Sequence, residues 1–170
     1  MGELRTERLR LRPLTLADVD WLIALHDNDD VAQFVGHYTR ERATERLLAD
    51  QQQWTERGHG LFAAEIIATG HAIGRFGLYW WEQFDETEIG WTLERSSWGY
   101  GYATEAARRI LEWAFIDLGL AKVTAMIAPE NLPSVALAQR LGFSPQRDEL
   151  LGRRNVRVHV LTPTRFKPAS

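Results

Sequence analysis

The sequence predicts an α+β domain on a mixed, mostly antiparallel sheet. Three strand-like runs come in succession: "LFAAEII" (Leu61–Ile67), "AIGRFGLYWW" (Ala72–Trp81) and "TEIGWTL" (Thr87–Leu93). Their connections, "ATGH" and "EQFDE", are short and polar, which makes the neighbours antiparallel. A long amphipathic run and the buried strand "KVTAMIA" (Lys122–Ala128) then add one strand–helix–strand unit, whose two strands run parallel. With 170 residues, the chain is expected to form a single domain over 1–170.

Taken in order, Leu9 and Leu11 alternate with Arg8, Arg10 and Arg12, and Pro13 closes the run, as in a strand with one buried face. Thr15 and Asp18 resemble a capping box before Val19, Leu22 and Ile23 at helical spacing. A second helix is expected from about Thr39 to Arg57, with Ala43, Leu47, Gln51 and Trp54 on one side and Gly58 and Gly60 ending it. After the three strands, Ala103, Ala106, Ala107, Ile110, Leu111, Ala114 and Leu118 share one helical face, and Gly119 stops the run. "PENLPSVALAQRLGF" gives a turn, a short helix with Pro133 in its first turn, and Gly142 as its stop. Two further strands are expected around Asp148–Leu151 and Val156–Leu161.

Composition narrows the function. A net charge of -3, with Arg interleaved among Glu and Asp, argues against a nucleic-acid footprint. The chain has no Cys, which rules out disulfides, thiolate metal sites and a Cys nucleophile, and fits a reducing cytoplasm. No apolar run approaches the ~18 residues of a membrane span. The charged start "MGELRTERLRLRP" does not read as a signal peptide. The five His (His26, His37, His59, His71 and His159) show no metal-ligand spacing, most are expected at the surface or in loops, and none implies a metal site.

The segment most informative about chemistry is "ERSSWGYGYATEAARRILEWAF", where Gly99 and Gly101 stand between a strand and a helix. A helix N-terminus carries unpartnered N–H groups and a positive dipole end, and glycine lets the main chain approach an anion closely. This layout suits phosphate. A tight turn alone would also use two glycines. A Walker loop fails because Tyr102 and Ala103 follow the last Gly where Lys and Ser/Thr are needed. A dinucleotide fingerprint fits poorly, since Thr104 holds its third Gly position and the unit follows an antiparallel meander.

Three blocks together resemble the GNAT N-acetyltransferases, and within them the RimJ/RimL-like branch. These are "TERLRLRPLTLADVDWL" (Thr6 to Leu22), "EIGWTLERSSWGYGYATEA" (Glu88 to Ala106) and "APENLPSVALAQRLGF" (Ala128 to Phe143), in the family's order and spacing. The resemblance implies the acyl-CoA N-acyltransferase fold, with a splayed parallel strand pair and flanking helices. It implies acetyl-CoA as co-substrate and no metal. It also implies direct transfer to a primary amine, on a small molecule or on a peptide or protein N-terminus, by a cytoplasmic monomer or homodimer. No nucleic-acid or membrane partner is expected. A coenzyme A-binding module without catalysis and, less well supported, a nucleotide-dependent oxidoreductase are the rival classes.

Residue roles follow from the same resemblance. The loop Trp98, Gly99, Tyr100, Gly101, Tyr102 and Ala103, with Thr104, is expected to hold the pyrophosphate of coenzyme A through main-chain N–H groups; Trp98 departs from the general Gln/Arg of the family. The main chain of Trp91, Thr92 and Leu93 is expected to pair with pantetheine and to polarise the thioester carbonyl. Asn131 is either a helix cap or a partner of the pantetheine amides, and the two roles are compatible. The Tyr that many members use as acid toward the thiolate is Ala138 here, and Ser134 is assigned that role. The incoming ammonium must lose a proton, so Glu88 is the first candidate base and Glu65 the second. Phe34, His37, Trp80 and Trp81 are candidates for lining the acceptor pocket.

Overall fold

The computed structural model describes residues 2–168. Its strands are β1 (Leu4–Arg5), β2 (Leu9–Pro13), β3 (Leu61–Ile66), β4 (Ala72–Trp81), β5 (Glu86–Leu93), β6 (Val123–Ile127), β7 (Ser144–Leu151) and β8 (Arg154–Leu161). They form one sheet in the order β1-β2-β3-β4-β5-β6-β8-β7. β5 and β6 run parallel and every other neighbouring pair is antiparallel. The expected mixed sheet with one strand–helix–strand unit is the fold observed. A doubly wound parallel sheet is absent from the described residues, which removes the architecture that a dinucleotide-dependent oxidoreductase of the Rossmann type needs.

The helices are α1 (Val19–Leu25), α2 (Asp29–Val35), α3 (Arg40–Arg57), α4 (Tyr102–Glu112) and α5 (Leu132–Leu141). They cover both faces of the sheet. On one face Leu9, Leu11, Phe62, Phe76 and Ile89 pack against Ala106, Ile110 and Leu111 of α4 and Leu137 and Leu141 of α5. On the other, Leu61 and Ala63 pack against Leu22 and Leu25 of α1 and Ala43 and Leu47 of α3. Period-two alternation along the strands serves both layers at once, and each fully buried Leu or Phe contributes about 1.5–3 kcal/mol.

Several elements depart from the sequence reading. α2 was not anticipated; its "DNDD" start is a cap, with the Asn28 side chain accepting from the Asp30 N–H at 2.9 Å. On α3 the buried polar residues are Asp50 and Gln53 rather than Gln51. Asp50 Oδ1 accepts from the Leu61 N–H at 2.8 Å, and Gln53 Nε2 donates to the Leu78 carbonyl at 2.8 Å, so polar groups stitch this helix to the sheet. The run after α4 leaves the α-helix in a π turn, where the Leu118 N–H donates to the Trp113 carbonyl. β7 and β8 begin earlier than expected, at Ser144 and Arg154.

Candidate functional site

The glycine loop is a cradle of main-chain donors. Gly99 and Gly101 have φ of 85° and 80°, the left-handed region that side chains disfavour. Gly101 is the N-cap of α4 and no side chain caps this helix. The Glu105 N–H donates to the Gly101 carbonyl, so those of Tyr102, Ala103 and Thr104 have no partner among the described residues. The loop is held from outside. Arg8 donates to the Tyr100 carbonyl at 3.0 Å and to Glu105 at 2.7 Å, and Thr6 donates to Glu105 at 2.5 Å. Thr6, Arg8 and Glu105 are therefore positioning residues that sequence reading did not single out, although all three lie inside the quoted blocks. Trp98 fixes the other side, donating its indole N–H to the Leu93 carbonyl at 2.9 Å.

β5 and β6 share one register pair, Glu88 with Thr124, and then diverge. Beyond that point β5 pairs only with β4. The Glu94 N–H donates to the Ile73 carbonyl, so by the antiparallel alternation Thr92 and Gly90 also turn their main chain to β4. Trp91 and Leu93 turn theirs toward the gap. Thr92 thus departs from the sequence reading: its main chain is engaged with the sheet. Its Oγ1 is buried and without a partner.

A cavity of about 720 Å³ lies beside this end of β5, between it, the glycine loop and the start of α5. It is lined by Trp91, Thr92, Leu93, Trp98, Gly99, Gly101, Tyr102, Ala103, Thr104, Asn131 and Ser134, with Phe34 and Val35 of α2 opposite. Every predicted cofactor residue except Tyr100 lines it; the Tyr100 side chain is exposed. An uncapped helix N-terminus at one end and an unpaired strand edge along the wall give an extended set of main-chain donors. This fits a pyrophosphate followed by an amide-bearing arm, as in coenzyme A.

A second cavity, of about 650 Å³, opens on the sheet face covered by α1 and α3. Phe34, Val35, Trp91, Asn131 and Ser134 line both cavities and so mark their junction. There the Trp91 indole N–H donates to Ser134 Oγ at 3.1 Å, and Asn131 Oδ1 caps α5 by accepting from the Ser134 N–H at 3.3 Å. The cap reading of Asn131 is observed, and its place in both cavities leaves its amide near the junction. Ser134 accepts from Trp91, which leaves its own hydroxyl proton for a third group.

Glu88 lines the second cavity at the splay point. Its carboxylate accepts from the Trp81 indole at 2.6 Å and from the Met126 N–H at 3.1 Å. Burial raises its pKa above the usual carboxylate range, against the pull of these hydrogen bonds and of Arg46 and Arg75. Glu65 lines neither cavity. Burial pushes its carboxyl up, but Arg12 and Arg10 outweigh this at 2.6 Å each and hold it below its ordinary value. Of the expected pocket residues, Phe34 and Trp81 line the second cavity, whereas Trp80 lies under Arg57 and His37 is exposed.

Most of the histidines lie in turns or loops, as expected, and only His159 is in a strand; His26, His59 and His159 are nevertheless buried. His26 is the informative one. Burial, reinforced by Arg75, lowers its pKa to about 3, so the ring is neutral. Its Nδ1–H donates to the Gly36 carbonyl at 2.9 Å, and its Nε2 accepts from Arg75 Nε at 3.3 Å. No cluster of metal-ligating side chains occurs among the described residues.

Comparison with known proteins agrees with this geometry. The family model described as an acetyltransferase (GNAT) domain matches residues 8–144. An uncharacterized protein of Bacillus subtilis, YkkB, is 35% identical over 146 residues, covering 83% of this chain and 84% of that protein. An uncharacterized N-acetyltransferase of Bacillus licheniformis, p20, is 31% identical over 157 residues, covering 89% of this chain and 86% of that protein. Among solved structures, a GnaT-family acetyltransferase from Bordetella pertussis superposes with a TM-score of 0.84 at 28% identity, covering 94% of this chain and 99% of that one.

Proposed function

The chain belongs to the GNAT acetyltransferase family, and from that premise we propose that it moves the acetyl group of acetyl-CoA directly to a primary amine bound in the second cavity. The observation that carries this is the junction. Trp91, Asn131 and Ser134 line both the donor-rich cleft and the cavity that holds Glu88, so the two substrates meet without an enzyme-bound intermediate.

Bound acetyl-CoA supplies an activated acyl group as a thioester. The N–H groups of Tyr102, Ala103 and Thr104 hold its pyrophosphate. The main chain of Trp91 and the N–H of Leu93, a residue whose carbonyl is held by Trp98, receive the pantetheine arm, and an N–H there acts as an oxyanion donor. Asn131 positions the arm at the junction. Glu88 takes the proton that the ammonium must lose; its raised pKa brings it nearer to that task than an ordinary carboxylate. Ser134 hydrogen-bonds the departing sulfur or protonates it, and the second proton that the attacking nitrogen gives up ends on the thiol, directly or by restoring the Ser134 hydroxyl; the N-terminal end of α5 favours the developing negative charge. Ala138, where many members carry Tyr, is buried in the core and leaves this role to Ser134.

The blocks at Thr6–Leu22, Glu88–Ala106 and Ala128–Phe143 support placement in the RimJ/RimL-like branch. The acceptor is then an amine on a small molecule or on a peptide or protein N-terminus. The reading includes a single domain, as monomer or homodimer, working in the cytoplasm. The test is an amine panel with acetyl-CoA, reading released thiol and acetylated product together. Stoichiometric release supports transfer. Coenzyme A binding without release from any amine supports a binding module instead.

A further inference from the structure

The second cavity differs in charge from the molecule that contains it. The chain has a net charge of -3, yet this cavity is lined by Arg42, Arg46, Arg75, Arg153 and Arg154, and by one carboxylate, Glu88. Arg75 is the deepest, at 9% exposure, on the sheet face under α3. Its Nε–H is spent on the neutral ring of His26. No carboxylate lies within 4.0 Å of Arg75 or Arg46 among the described residues. Arg46 stacks on Tyr79 at 3.9 Å from the ring centroid, and its Nε is buried without a hydrogen-bond partner. The groups facing this pair are Glu88, Asp50 and Tyr38, all beyond ion-pair distance.

A buried, unpaired cation such as Arg75 is costly, and a second, half-buried arginine beside it adds to that cost. Such an arrangement is compensated when a ligand brings the missing charge. An arginine fork with open N–H groups matches a planar or tetrahedral oxyanion. A polycationic acceptor would instead meet like charge at every arginine of the wall.

Resting on the acetyl-transfer reading above, we propose that the acceptor is a small amine that also carries an oxyanion, an amino acid-like molecule whose carboxylate is read by Arg46 and Arg75 while its amine faces Glu88. A phosphonate offers the same chemistry.

The experiment titrates coenzyme A-loaded protein by calorimetry with β-alanine, 4-aminobutyrate and phenylalanine, each against its carboxamide, and with 2-aminoethylphosphonate and spermidine. The same compounds are run as acceptors with acetyl-CoA. The carboxylates are expected to bind and react at least about tenfold better than their amides, as for a hydrogen bond between charged groups. Arg46→Gln should bring that ratio close to one. Arg75→Lys, which keeps the charge but not the fork, should lower it by a smaller factor. Stronger binding of the phosphonate assigns the oxyanion to that class. Equal affinity for acid and amide, a preference for spermidine, or an unchanged ratio in Arg46→Gln would overturn the proposal. Oxyanion-selective binding without thiol release from any amine would uphold the anion site and instead overturn the transferase reading.

Discussion

The two cavities meet at Trp91, Asn131 and Ser134 but are built by different means. The first presents main-chain N–H groups from two short stretches, the end of β5 and the glycine loop, beside the Asn131 and Ser134 side chains at the start of α5. The second presents charged and aromatic side chains brought from α2, α3, β4, β5 and the β7–β8 hairpin, with apolar residues of β6. A site made of main chain needs only a local geometry, so glycines, a helix start and a strand edge suffice to specify it. A site made of side chains needs the whole fold before its members become neighbours. On the proposed reading the first cavity serves a co-substrate shared across the family, and the second is free to differ between members.

Removing the proposed base, Glu88, acts on the second cavity and should have the largest effect. Glu88→Gln is expected to lower kcat about a hundredfold to ten-thousandfold while leaving acetyl-CoA affinity unchanged, checked by steady-state kinetics with calorimetry. The sign of the pH dependence is set by the raised pKa of Glu88: activity rises with pH through a limb above the ordinary carboxylate range, and the Gln variant lacks this limb. A near-native rate in Glu88→Gln would separate the cavity from proton transfer.

Gly101→Val acts on the first cavity alone. A Cβ there would meet only Arg8 at 3.6 Å, an ordinary contact, but the φ of 80° costs a β-branched residue about 1–3 kcal/mol and the side chain closes the approach to the donors. Coenzyme A affinity should fall by about tenfold to a hundredfold, with the far-ultraviolet circular dichroism retained. Unchanged affinity would detach the loop from the site.

At the junction, Ser134→Ala should lower kcat about tenfold to a hundredfold, with a smaller change in the acetyl-CoA KM. Loss confined to KM would make Ser134 a wall residue of the cleft.

The smallest effect concerns stability behind the second cavity. Burial pushes the Asp50 carboxyl up to about 6 from its model-compound value of 3.8. The folded state therefore holds this proton more tightly than the unfolded chain, and the stability it contributes is full below the unfolded pKa and lost as pH rises toward 6. Asp50→Asn removes that dependence. Relative to the native protein, the variant should gain about 1–3 kcal/mol on going from pH 4 to pH 7, as read by chemical denaturation at both values.

The same contrast explains what the sequence made legible. Sheet order around the β4–β5 hairpin, the parallel β5–β6 pair, the cradle at Gly99 and Gly101 and the start of α5 follow from alternation, short connections and caps, all of them local. Which main-chain groups of Trp91 and Leu93 turn away from β4 depends on the β4–β5 register, and Thr92 shows that this cannot be read from a strand taken alone. The buried His26 and its contact with Arg75 join residues from two distant elements, and no spacing announces them. Arg46 reads as an ordinary exposed helix position until Tyr79 is placed beneath it.

Direct transfer across the shared junction is tested most closely by a single turnover of acetyl-CoA with an accepted amine, quenched in time and read by mass spectrometry of both protein and amine. The account predicts that the acetyl group appears on the amine as thiol is released, with no acetylated protein at any time. Acetyl on Ser134 or another side chain before it reaches the amine, or free acetate in place of acetylated amine, would contradict it.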